Sequence, residues 1–178
     1  MTIPNSITTA RILLIPLFMV CMSYDWIIAA MLLFAGVSLT DYLDGYLARK
    51  MNQVTDLGKV LDPLADKLLV TAAIICFVDD GRMEAWMATV IIAREMIIST
   101  LRAVTAAKGL VLEAGLSGKI KTVIQMLGIL FMLSPWHYMM APGTQIYWFV
   151  IAAWLITVVT VWSGADYLWE HRRILRKL

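Results

Sequence analysis

Apolar runs follow one another along almost the whole of this 178-residue chain, separated only by short polar stretches. Backbone N–H and C=O groups inside such runs have no water to bond, so each run must satisfy them internally. The sequence therefore predicts an all-α integral membrane protein with six transmembrane helices. Hydrophobic residues make up 61% of the chain and mean hydropathy is +0.78, whereas soluble domains are roughly one half apolar. That excludes an ordinary soluble domain and leaves one membrane domain over residues 1–178 as the expectation. Cys21 and Cys76 both fall inside apolar runs, far from each other and from any histidine pair. Buried free thiols are expected, not a disulfide or a metal site.

The first span is expected at about Ser6–Ser23, with Pro16 as a tolerated kink. Arg11 ahead of Ile12–Met22 also suits a signal peptide, but no small-x-small cleavage site follows, and further spans come after it. A second helix is expected over about Trp26–Arg49, a loop over Lys50–Leu57, and a third helix over about Lys59–Val78 with Pro63 in its first turn. Asp79-Asp80-Gly81-Arg82 reads as a tight turn before a fourth helix at about Glu84–Ala107. A fifth is expected at about Lys119–Leu133, a turn over Pro135–Thr144, and a sixth at about Gln145–Trp169. The tail from His171 to Leu178 is basic. Trp136, Tyr138, Tyr147, Trp148, Trp162, Tyr167 and Trp169 read as interface belts. His137 and His171 are lone and receive no role.

The net charge of +2 says little, but the placement of the cations says more. Alternating six spans puts all Lys and Arg residues except Arg82 toward the side of the N-terminus. By the positive-inside rule that side is cytoplasmic, with both termini there. A multi-pass protein of a bacterial cytoplasmic membrane is expected, with a polar cavity open to the cytoplasmic side.

Against this apolar background four carboxylates stand out. Asp41 and Asp44 are three apart and share a helix face, and Asp62 and Asp66 are four apart and share a face on the next helix. Two helices joined by a short polar segment could bring all four to one spot. Hard divalent cations such as Mg²⁺ suit that oxygen-rich arrangement, and unpartnered carboxylates in a membrane are costly. Asp56 has no partner at helical spacing and reads as solvated.

The spacing is D-x2-D-G-x2-A-R-x8-G-x3-D-x3-D, with Gly45, Ala48, Arg49 and Gly58 in the remaining fixed positions. This pattern resembles the signature of the CDP-alcohol phosphotransferases, and every position of it is filled. The resemblance implies two divalent ions, Mg²⁺ or Mn²⁺, with Asp41 and Asp62 shared between them, Asp44 on the first and Asp66 on the second. It also implies that Asp66 is the general base toward the attacking alcohol. Gly45, Arg49 and Thr55 would hold the nucleotide-lipid. Ala48 and Gly58 are small positions in the same signature, although Gly45 and Ala48 also suit close helix packing. Thr55 equally suits an N-cap. The opening Ile3-Pro4-Asn5-Ser6 resembles a start found in one branch of the family, where it lies against the nucleotide. Pro4, Asn5, Ser6 and Ile7 therefore become binding candidates, while Asn5 or Ser6 equally suits a helix N-cap.

In the second half Arg94, Arg102, Lys119 and Lys121 suggest an acceptor that itself carries a phosphate. Arg94 sits too deep in an apolar run to lack a partner or ligand. Its neighbour Glu95 is expected to point elsewhere. Snorkelling under the positive-inside rule is the competing reading for these cations. The segments Ile92–Arg102 and Gly118–Thr122, with Gln125, resemble the branch whose acceptor is sn-glycerol 3-phosphate. The implied reaction transfers phosphatidyl from CDP-diacylglycerol to that acceptor in the lipid bilayer and releases CMP. The family also implies a homodimer, and nothing in the chain calls for nucleic acid. Inositol phosphate, serine or phosphatidylglycerol are alternative acceptors. A divalent-cation transporter is the alternative of another class, but it gives Gly45, Ala48, Arg49 and Gly58 no task.

Overall fold

A computed structural model describes residues 3–51, 56–109, 115–139 and 143–175; within these, the side chains of residues 3–10, 41–51, 56–63, 66, 137, 138 and 173–175 lie outside the description. Among the described residues there is no strand. The helices are α1 (Ile3–Ser23), α2 (Ile27–Met51), α3 (Asp56–Asp79), α4 (Ala85–Ala107), α5 (Leu116–Leu133) and α6 (Thr144–Leu175), with a 3₁₀ turn at Pro135–Met139. The chain divides into two compact units, one of residues 1–79 with 133–140, the other of residues 80–132 with 141–178.

Several boundaries differ from the expected ones for identifiable reasons. α1 starts at Ile3, not Ser6, which places Pro4 in the first turn, where its fixed φ suits a helix. Asn5 and Ser6 are therefore inside the helix and are not its N-cap. α3 begins at Asp56, so Pro63 lies about two turns in and not in the first turn. α6 continues past Trp169 to Leu175 because no Gly or Pro interrupts the basic segment. At 32 residues it is about 48 Å long, more than the roughly 30 Å of a hydrocarbon core.

In the first unit α1 packs along both α2 and α3, and α2 touches α3. The buried residues of α3, Ala65, Leu69, Ala72, Ala73, Cys76 and Phe77, recur at helical spacing, and the small ones permit close approach. Ile15, Phe18 and Met22 form the matching stripe of α1, with Phe18 against Phe34 of α2 at 6.1 Å between ring centroids. Cys21 and Cys76 are buried free thiols, as expected. α1 ends with Asp25 in the left-handed region (φ 57°), where Trp26 N–H donates to the Cys21 carbonyl at 2.8 Å and closes the helix.

The second unit buries polar side chains within its apolar core and leaves many large apolar ones on its surface. Lys121, Gln125, Thr157, Thr160 and Ser163 are buried, while Leu127, Val150, Ile151, Trp154, Leu155, Val158 and Trp162 are exposed. Side chains of that kind face hydrocarbon, not water. α5 and the Thr144–Arg172 part of α6 are each long and apolar enough to cross a membrane. The protein is accordingly a membrane protein.

α4 packs on α6, and Arg82 ties the apolar end of the unit together. Its guanidinium donates to the Met132 carbonyl at 2.8 Å, pairs with Asp80 at 3.3 Å and lies 5.1 Å from the centroid of the Phe149 ring. α5 and α6 meet where a Cβ built on Gly128 would come within 2.7 Å of Ile156 Cδ1. Ile156 is fully buried and β-branched, so it cannot easily move aside. Gly128→Val is expected to destabilise the fold by about 1–3 kcal/mol, the usual cost of overpacking. Thermal unfolding in detergent checks this, and Ile156→Ala in the same chain should recover part of the loss.

Candidate active site

The two acid pairs fall on α2 and α3, either side of the connection at residues 52–55. Asp41 and Asp44 lie ten and seven residues before Met51, and Asp62 and Asp66 six and ten residues after Asp56. At about 1.5 Å per residue, the outer acids are both about 15 Å from the connection and the inner ones about 10 Å. A connection this short joins antiparallel neighbours, and antiparallel helices bring the two pairs to matching levels. The side chains of Asp41, Asp44, Gly45, Ala48, Arg49, Gly58, Asp62 and Asp66, like those of Pro4, Asn5, Ser6 and Ile7, lie outside the described residues, as does Thr55 entirely. Among the described residues no three His, Cys, Asp or Glu side chains gather into a metal site. The donor set whose chemistry fits a hard divalent cation is the four aspartates, all-oxygen and paired at matching depth on two touching helices.

α1 contributes Arg11 to the interior of the same unit. It is buried and lies on the stripe of Ile15, Phe18 and Met22, about one turn before Ile15. From the sequence it was expected as a cytoplasmic-side cation at the start of the first apolar run; its place on the Ile15–Phe18–Met22 stripe was the available signal for burial.

The second unit gathers its polar groups at one end of each helix. On α4 the inward stripe is apolar at Met87 and Ile91, then carries Arg94, Arg102 and Thr105. On α5 it runs from Ser117, Lys121 and Gln125 to apolar Ile129 and Met132, and on α6 from apolar Phe149, Ala152 and Ile156 to Thr160, Ser163 and Tyr167. Since α5 runs opposite to α4, all three polar segments lie toward the C-terminal ends of α4 and α6.

Side-chain bonds join these segments. Glu95 Oε1 accepts from Arg94 Nη1 at 2.7 Å and from Lys121 Nζ at 2.5 Å, linking α4 to α5. Arg94 Nη2 donates to Ser163 Oγ at 3.1 Å, and Ser163 Oγ donates to the Thr160 carbonyl at 3.1 Å. Gly164 opens the path for Arg94, since a Cβ there would sit 3.1 Å from Arg94 Cγ. Arg102 lies 5.2 Å from the centroid of the Tyr167 ring, with its Nε donating to the hydroxyl at 3.4 Å. Tyr167 in turn lies on the His171 ring at 4.4 Å between centroids.

Arg94, Lys121 and Arg102 are thus held in one polar region, whereas Lys119 is exposed. Two expectations need correction. Glu95 does not point away from Arg94 but pairs with it; adjacent residues diverge at Cβ, yet a long guanidinium and a glutamate together span that divergence. Tyr167 is not an interface residue: only 3% of it is exposed, because it faces Arg102 on the α4 side of α6. Ser163, Gly164 and Tyr167 were missed altogether as site residues. Their signal was the spacing Thr160, Ser163, Gly164, Tyr167, His171, a polar stripe on an otherwise apolar helix.

A family model for CDP-alcohol phosphatidyltransferase matches residues 1–162. The chain belongs to that family. Its members generally use divalent metal ions, in keeping with the chemistry of the four aspartates. The chain is 42% identical to a protein of Bacillus subtilis (strain 168) named CDP-diacylglycerol–glycerol-3-phosphate 3-phosphatidyltransferase, over 94% of this chain and 95% of that one. Proteins of the same name from Pseudomonas fluorescens and Shigella flexneri serotype 5b (strain 8401) are 38% and 36% identical, over 96% and 93% of this chain and 92% of each relative. The family match stops just before Ser163, so Ser163, Gly164 and Tyr167 of the polar region lie beyond it.

The Tyr167 contacts make a distinct prediction. The ring fills a buried site under Arg102, while its hydroxyl accepts only a long bond. Tyr167→Ala should cost about 3–5 kcal/mol of stability, and Tyr167→Phe only about 1 kcal/mol or less. Equal losses in thermal unfolding of the two variants would contradict this division.

Proposed function

We propose that this chain is a multi-pass enzyme of a bacterial cytoplasmic membrane that transfers the phosphatidyl group of CDP-diacylglycerol to sn-glycerol 3-phosphate, giving phosphatidylglycerophosphate and CMP. What supports this most is the family match over residues 1–162 combined with the complete acid signature on α2 and α3. The names of its relatives support the same acceptor.

Asp41, Asp44, Asp62 and Asp66 would hold two divalent ions, Mg²⁺ or Mn²⁺, with Asp41 and Asp62 common to both. Bound there, the ions neutralise the diphosphate and favour an in-line displacement at phosphorus. Asp66 takes the proton from the terminal hydroxyl of sn-glycerol 3-phosphate. That oxygen then forms a new bond to the lipid-bearing phosphorus, and the bond from phosphorus to the bridging oxygen of the diphosphate breaks. CMP leaves with that oxygen, and both acyl chains stay in the bilayer throughout. Arg49, Gly45 and Thr55 hold the nucleotide-lipid, with Ala48 and Gly58 leaving room for it, and Pro4, Asn5, Ser6 and Ile7 lie against the nucleotide. Arg94, Arg102 and Lys121, with Lys119 in support, bind the phosphate of the acceptor.

In this reading the chain is a single catalytic domain of six spans with both termini cytoplasmic, and it works as a homodimer. The distribution of Lys and Arg, with Arg82 alone on the far side, supports that orientation.

Asp66→Asn tests the assignment of the base. It should lower turnover at least about a hundredfold, the scale of general-base catalysis, while CDP-diacylglycerol still binds in equilibrium binding. Loss of binding and turnover together would leave Asp66 a metal ligand only.

A further inference from the structure

We infer that Glu95 is a positioning residue for the acceptor, the carboxylate that fixes Arg94 and Lys121 as one phosphate-binding pair. The inference rests on the acceptor reading above and adds to it a residue of opposite charge to the cations that reading uses. A single atom, Oε1 of Glu95, accepts from both cations, one from α4 and the other from α5. Arg94 is gripped from its other side by Ser163 of α6, so its guanidinium plane is set by two helices at once. Lys121 is 3% exposed and carries a flexible four-carbon stem. Without a carboxylate the two positive groups would repel each other, and the ammonium would swing toward water.

An acid in the middle of an anion site also sets its charge. Arg94, Lys121 and Arg102 less Glu95 leave a net excess near two positive charges, which suits a phosphate monoester of about −1.5 to −2. Two donors stand unused beside the clamp. Arg94 Nε is buried with no partner, and Gln125 Nε2 is likewise unpartnered on a side chain 3% exposed, one turn along α5 from Lys121. Such donors are costly unless a ligand takes them.

Steady-state kinetics of Glu95→Gln, with the wild type beside it, test this. The amide keeps the shape and the accepting oxygen but removes the charge. The acceptor KM should rise at least about tenfold, from the loss of a charge-assisted bond, while the KM for CDP-diacylglycerol stays within about twofold. Glu95→Asp keeps the charge on a shorter arm and should fall between the two. A Glu95→Gln enzyme with reduced kcat but unchanged acceptor KM would make Glu95 a structural counter-ion and overturn the inference. If that variant cannot be purified folded, Glu95→Asp decides alone: an acceptor KM raised severalfold supports positioning, and an unchanged one overturns it. A wild type that turns over sn-glycerol 3-phosphate beside an unmoved variant KM overturns this inference only. A wild type without that activity overturns the parent reading and this one with it.

Discussion

A charge inside an apolar medium persists only where another group meets it, and the second unit of this protein is arranged around that constraint. Glu95 meets Arg94 and Lys121, Ser163 meets Arg94, and the ring of Tyr167 meets Arg102. The Lys121, Ser163 and Tyr167 contacts cross between helices, so the polar groups join α4 to α5 and α6 at one end while apolar stripes line the other. Removing one partner would leave its mate charged and buried, a penalty of about 3–5 kcal/mol. The exposed Leu, Ile, Val and Trp side chains of α6 are the other side of the same constraint, since the medium around them is as apolar as they are.

The first unit meets the constraint differently. Its acids lie on α2 and α3 at matching distances from the connection that joins these helices, and all-oxygen donors paired in that way suit divalent ions. In the proposed mechanism one carboxylate serves as both metal ligand and base, because the chemistry needs little from the protein beyond charge neutralisation and alignment.

Most of the architecture was legible because apolar runs and polar breaks mark helices directly. The placement of the acid pairs on two successive helices was legible too, since spacings of three and four imply a shared helix face whatever the exact helix ends. The ends themselves were not. α3 starts before the position that Pro63 suggested, and α6 runs on through Arg172 because solvent does not stop a helix that lacks a breaker. The Glu95 pairing was misread because helical spacing describes where Cβ atoms point, not how far long side chains reach. Tyr167 was misread for a related reason. An aromatic residue near the end of a span looks like an interface anchor until the neighbouring helix shows which face is inward.

The central claim is a transfer reaction with a particular acceptor, and CMP release tests it most directly. Purified protein in detergent would receive CDP-diacylglycerol and Mg²⁺ or Mn²⁺, with sn-glycerol 3-phosphate, inositol 1-phosphate, serine or phosphatidylglycerol supplied one at a time. The account predicts CMP release with sn-glycerol 3-phosphate and not with the others. Release with a different acceptor would contradict the reading of Arg94, Arg102 and Lys121, and release with none of them would contradict the transfer reaction itself.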